Sequence, residues 1–187
     1  MEHELTDGGS AHPASPPDWS AWLEAYGPRL MLYARQQTRC EADAEDVMQE
    51  AVLQLVRTVE SGKFEGVVQQ YLAFALAAIR HRAMDVSRRR KTRLKYELLN
   101  NDLQAEHDNN PWLCCEHDND VYRRHVERIL RRMPADQAEI LLLKIWEELT
   151  LQQIAEVTGD ALSTINSRYR RALARFREEL AQDPLPE

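Results

Sequence analysis

Two clusters of guanidinium groups are the most chemically specific feature of the sequence. The first lies in the run RHRAMDVSRRRKTRLK, Arg80 to Lys95, where Asp85 is the only acid. The second, Arg168, Arg170 and Arg171, is interleaved with Ser163, Thr164, Asn166 and Ser167. Arginine binds phosphate, or the edge of a guanine, through paired N–H donors, and small residues let a helix enter a groove about 12 Å wide. The chemistry on offer is recognition of a polyanion. Catalysis has no residues to stand on, because the sequence holds no nucleophile–base constellation, Gly-rich phosphate loop or Walker pattern. A metal is not expected either. His107, Cys114, Cys115 and His117 form H-x6-C-C-x-H, which lacks the paired C-x2-C geometry of structural zinc sites. No cofactor is expected.

The net charge of -7 argues against nucleic acid only if charge is spread evenly. It is not. From Glu97 to Asp120 there is no Lys or Arg but seven acids, and the first sixty residues are acidic as well. One basic patch in an acidic chain implies local DNA contact, weak binding by the chain alone, and other surfaces left for protein partners. The three cysteines, Cys40, Cys114 and Cys115, have no framework spacing and fit a reducing cytosol. No apolar run approaches the 18–20 or so residues of a membrane span. MEHELTDGGSAHPASPP has neither a basic n-region nor an apolar core, so it reads as a disordered leader rather than a signal peptide. A cytoplasmic location follows as the expectation.

The elements that must carry these residues are all helical, since strand-type alternation is absent. Residues 1–17 form the leader and 18–96 a first small helical domain. Residues 97–120 form a flexible acidic linker, and 121–183 a second domain. In the first domain one helix starts near Asp18, with Pro28 inside it as a possible kink. A second starts near Asp43, and the loop SGKFEG separates it from a third, about Val68 to Lys91, that turns from apolar to basic. In the second domain one helix ends before Pro134, and Pro134 occupies the first position of the next, ADQAEILLLKIWEEL. Thr150 and Gln153 form a T-x-x-Q capping box for TLQQIAEVT, Gly159 ends that helix in a left-handed turn, and Ser163 caps the last one.

A short capped helix, a Gly-containing turn and a longer helix make a helix-turn-helix. On the last helix Ile165, Tyr169, Ala172, Phe176 and Leu180 form one stripe that must pack inward. At 100° per residue, Ser163, Ser167, Arg170, Arg171 and Ala174 point outward. A solvated arginine face is the plainer reading of that surface. The cap, the turn and the small residues at the helix entrance favour DNA.

RRMPADQAEILLLKIWEELTLQQIAEVTGDALSTINSRYRRALARFREEL resembles region 4 of extracytoplasmic-function (ECF) sigma factors of the sigma-70 family. The matching elements are Met133-Pro134, the apolar run Ile140 to Leu143, Gln153-Ile154-Ala155, Thr164 to Arg168, and Arg171-Ala172. DAEDVMQEAVLQLVRT resembles region 2.2, and YLAFALAAIRHRAMDVSRRR resembles regions 2.3 and 2.4. The resemblance covers about Trp19–Arg93 and Val121–Leu180. It implies a promoter-specificity subunit that binds core RNA polymerase and directs initiation at −10 and −35 elements, with no catalysis of its own. The implied partners are the β′ clamp helices and the β flap of the polymerase, promoter DNA, and, as a further candidate, an anti-sigma factor.

Site residues follow from the same resemblance. Asp46, Gln49 and Glu50 share one exposed helix edge and are expected to meet the clamp, although an ordinary solvated face has the same composition. For the −10 element the candidates are Lys63, Phe64, Tyr71, Arg80, His81, Arg82, Arg88, Arg89 and Arg90. Phe64 and Tyr71 would stack on or wall in a flipped base, with a place in the core as the alternative for Tyr71. His81 stands where many members carry Asn, and imidazole offers a different donor and acceptor set. For the −35 element the candidates are Ser163, Thr164, Asn166, Ser167, Arg168, Arg170 and Arg171, with Asn166 where Lys or Arg is common. The competing reading is a stand-alone helix-turn-helix regulator that binds operator DNA as a dimer.

Overall fold

The computed structural model describes residues 17–38, 40–64, 70–97 and 121–183. Seven α-helices account for almost all of them: α1 Trp19–Gln37, α2 Glu41–Glu60, α3 Tyr71–Glu97, α4 Val121–Arg132, α5 Ala135–Ile145, α6 Leu151–Thr158 and α7 Leu162–Gln182. The architecture is all-α, and no strand occurs among the described residues. The expected leader, apart from its last residue, and residues 98–120 of the expected linker lie outside them. No described helix is long and apolar enough to cross a membrane.

Local chemistry explains most helix ends. The Asp18 carboxylate accepts from the backbone N–H of Ser20 and Ala21 and so starts α1, which runs on through Pro28 to Gln37. Cys40 caps α2 through its sulfur, with Glu41 and Asp43 in the first turn against the positive helix end. The Thr150–Gln153 capping box of α6 is complete, both bonds being present, and Gly159 ends that helix at φ 74°.

Three ends differ from the expectation by a short step. Pro134 is the N-cap of α5 rather than its first helical residue. Ser163 does not cap α7. The helix begins at Leu162 behind Ala161, which makes no side-chain cap bond, so Ser163 already lies in the first turn. The third concerns α5, which stops at Ile145 instead of running through Leu149. Glu148 takes up φ 53°. The chain reverses there, so that the Leu149 N–H reaches the Leu143 carbonyl and the Leu149 side chain is buried. That left-handed residue sets the angle between α5 and α6.

Two helices are apolar nearly all round, and such helices lie inside rather than on a surface. In α3 these are Leu72, Ala73, Ala75, Leu76, Ala78, Ile79 and Ala83, and in α5 Ala138 and Ile140 to Leu143. Helices α1, α2 and α3 pack mutually, and so do α5, α6 and α7, with α4 against α5 and α7. The two halves also meet, α3 against α6. One apolar core therefore runs from Trp22, Leu30 and Leu55 through Leu76 and Ile79 to Leu142, Leu143, Ile154 and Ile165. A smaller cluster, around Ile129, Leu130, Leu141 and Ala172, fills the far side of α5.

The two left-handed residues that bracket α6 make opposite predictions. A Cβ added at Gly159 meets nothing within 4 Å, so Gly159→Ala carries only the backbone cost of a left-handed L-residue, about 1 kcal/mol. Glu148→Gly removes the same cost and, after the extra freedom it gives the unfolded chain, should stabilise by about 0.5 kcal/mol. Equilibrium urea unfolding of both variants checks the pair, and shifts of the same sign would refute it.

Candidate nucleic-acid interface

Helix α7 is oriented by its apolar stripe. Ile165 and Ala172 are fully buried, and Tyr169, Phe176 and Leu180 pack beside them. The opposite face is open: Ser163, Asn166, Ser167, Arg170 and Arg171 are exposed and Thr164 is half-buried. The small polar groups there are satisfied within the helix. Asn166 Nδ2 donates to the Leu162 carbonyl at 3.0 Å and Ser167 Oγ to the Thr164 carbonyl at 2.9 Å. Arg171 is held only by a long bond from Nε to the Ser167 carbonyl, 3.4 Å, so its guanidinium remains available to a phosphate or a base edge. Arg168 differs. Its guanidinium binds Asp160 at 2.6 Å and Asp136 at 3.4 Å, which ties α7 to the turn before it and to the start of α5. Its place in the −35 candidate set is therefore that of a brace.

The other basic cluster is divided among three environments. At the far end of α3, Arg88 and Arg89 are exposed and Arg90 half-buried, with only a loose Arg88–Asp85 pair of 3.5 Å between exposed groups. His81 is exposed, and Arg82 reaches back to Glu50 on α2 at 3.3 Å. That bond joins a −10 candidate to the α2 edge where Asp46, Gln49 and Glu50 are all exposed. Lys63 and Phe64 line a groove of about 350 Å³ with Gln70 and Phe74. Tyr71 belongs to the core. It is 5% exposed, stacked on Trp19 at 5.8 Å, and meets the Phe64 ring edge-on at 4.8 Å. Its face is occupied, so Phe64 is left as the aromatic group of the groove.

Arg80 turns away from the DNA-facing set. Its Nε donates to Glu139 Oε1 at 3.0 Å and its Nη1 to the Thr158 carbonyl at 3.1 Å, both across the junction with the second half. The same Glu139 oxygen accepts from the Tyr33 hydroxyl at 2.6 Å and from Gln37 Nε2 at 3.0 Å. Burial, followed by the neighbouring Glu139 charge, holds the Tyr33 hydroxyl well above its ordinary value, so it stays a donor. A second junction contact joins Arg29 Nε to Glu147 Oε2 at 3.0 Å, with the Arg29 guanidinium 5.6 Å from the Tyr26 ring centre. Glu147 Oε1 is buried without a hydrogen-bond partner. Glu139, Glu147, Arg29, Tyr33 and Gln37 were not expected from sequence. The available signal was two acids flanking the apolar run from Ile140 to Ile145.

Residues 22–93 match the family Sigma-70 region 2, and residues 123–176 match Sigma-70, region 4. The chain is 29% identical over 156 residues to an RNA polymerase sigma-E factor of Streptomyces avermitilis, covering 81% of this chain and 78% of that protein. It is 24% identical over 144 residues to the RNA polymerase sigma factor SigV of Bacillus subtilis, covering 76% and 79%. The fold is similar to that of the sigma factor RpoE of Bartonella quintana, solved in complex with the anti-sigma factor NepR. The TM-score is 0.65 at 21% identity, over 88% of this chain and 97% of that one.

Burial raises the Glu147 carboxyl above its ordinary value of 4.5, and the Arg29 guanidinium offsets this only in part. The native state thus holds this proton more tightly than the unfolded chain does. Its contribution to stability is fully present below about pH 4.5 and is lost as pH rises through the higher native value. Glu147→Gln removes that dependence. The stability of the natural protein relative to this variant should therefore fall as urea titrations move from pH 4.5 towards neutrality. A rise would mean that Arg29 outweighs burial.

Proposed function

The chain belongs to the sigma-70 family, in its extracytoplasmic-function group, and on that premise we propose that it acts as a dissociable promoter-specificity subunit of RNA polymerase whose α7 reads the −35 element as duplex. Sigma factors are DNA-recognition subunits, and on this reading the protein is not an enzyme. It aligns core polymerase on a promoter and stabilises the melted strand. The observation that carries the proposal is the free α7 face. Hydroxyl and amide groups near the helix entrance, followed one turn later by Arg170 and Arg171, suit entry into a major groove.

The remaining roles follow the exposed groups. Asp46, Gln49 and Glu50 offer acid and amide groups to the basic clamp helices of β′, and the β flap is the expected partner of the second half. Lys63, Phe64, His81, Arg82 and Arg88 to Arg90 supply a cationic track and one aromatic wall for the −10 strand. Arg80 joins that set once its junction contacts are released. The fold shared with a sigma factor solved with its anti-sigma factor supports a regulator of that class for this chain as well. Work with core polymerase places the protein in the cytoplasm.

Run-off transcription with purified core polymerase across genomic fragments tests the proposal. Initiation from a subset of fragments is expected, and core binding without initiation from any of them would sink it. Sequence-specific duplex binding by the chain alone as a dimer would favour the stand-alone regulator instead. Arg171→Ala should impair initiation at promoters that depend on a −35 element while leaving thermal stability unchanged. Arg168→Ala should lower stability, by about 1 kcal/mol or less because the pair is partly exposed. Interchanged effects would show that the two arginines have been given the wrong roles.

A further inference from the structure

The junction between the two halves uses groups that the −10 reading needs. Arg80 is engaged by Glu139 and by the Thr158 carbonyl at the end of α6. The groove beside Lys63 and Phe64 is walled on its other side by Glu156 and Val157, also from α6. Val157 is buried, while Glu156 is exposed and brings a carboxylate to the same groove as the Lys63 ammonium. A nucleic-acid strand entering there would meet a wall of the second half, one cation already neutralised, and an added negative charge.

Geometry makes this arrangement incompatible with promoter reading. Elements named −10 and −35 lie about 25 base pairs apart, or roughly 85 Å along B-form DNA. Here α3 and α6 are in contact. The halves must therefore separate before both elements can be read, and residues 98–120, fully extended, reach about 80 Å. The junction is built to be reversible. Opening it exposes apolar surface around Ile154 and Val157, but it also returns Glu139, Glu147, Arg29 and Arg80 to water. Buried ion pairs add little net stability over their hydrated state, whereas deleting one partner leaves a buried charge unmatched.

We propose that the second half is an internal inhibitor of the first: seated on α1 and α3 through the Glu139 and Glu147 contacts, α5 and α6 withhold Arg80 and the Phe64 groove from single-stranded DNA until a partner separates the halves. The inference rests on the sigma reading for the nature of the strand, but its conformational part stands without polymerase.

The test uses the full chain, free in solution, and its Glu139→Ala variant. Small-angle scattering gives the radius of gyration, and fluorescence anisotropy with a labelled degenerate single-stranded oligonucleotide gives the affinity. The natural chain should be compact and bind weakly. Glu139→Ala should be extended and bind several-fold more tightly. If Glu139→Ala loses its helical circular dichroism, Arg29→Ala makes the same test, since Arg29 is half-exposed and leaves Glu147 buried and unpaired. A natural chain already extended in solution overturns the proposal, as does a variant that opens without gaining affinity. Failure of the sigma reading is separate: transcription would then be absent from the natural chain and both variants alike, whatever scattering shows.

Discussion

A carboxylate withdrawn from water has to be met by donors, and Glu139 is met by three from the other half of the chain. Tyr33, Gln37 and Arg80 all converge on its Oε1. Arg80 supplies the charge, and the phenol supplies a bond that burial keeps protonated. Helix α5 carries this acid on the same short stretch that buries Ile140 to Leu143. The helix can lie between two apolar clusters only because its one charged group on that side is answered. The positions of α6 and α7 follow from it, through the left-handed Glu148 and the capping box at Thr150.

This constraint gives the two DNA-facing surfaces different availability. The outward face of α7 lies opposite the stripe that packs on α5, so Arg170 and Arg171 stay open while the junction is closed. The groove at Phe64 and the Arg80 guanidinium are at the junction itself. One contact thus builds the helix-turn-helix and occupies part of the neighbouring surface. Arginines four residues or fewer apart can differ as sharply. Arg168 braces α7 against Asp160 and Asp136, whereas Arg171 has no acid beside it among the printed ion pairs of α7.

Much of the fold could be read from residue spacing. Capping at Asp18, Thr150 and Gly159 depends on atoms within a few residues, and so it was legible locally. The inward stripe of α7 follows from helical periodicity alone, which also told the exposed Ser167 and Arg170 from the buried Ile165 and Ala172. Boundaries were less legible where two local solutions compete, as at Ser163, which lies one residue too far along α7 to cap it, and at Glu148, whose left-handed turn no residue type announces. Tyr71 shows the same limit for a side chain. An aromatic at a helix start is equally suited to a base or to the indole of Trp19, and only packing selects the indole.

What the sequence by itself determined is the set of helices, the order of the two halves and the guanidinium-rich outward face of α7, because periodicity, caps and charge clustering act over a few residues. What only tertiary structure decided is the destination of the buried acids and of Arg80. The Glu139 partners lie 106, 102 and 59 residues away along the chain. Pairing over such distances leaves no spacing pattern in a sequence. It is set by which faces two folded halves bring together, and by the requirement that a charge buried there find its donors.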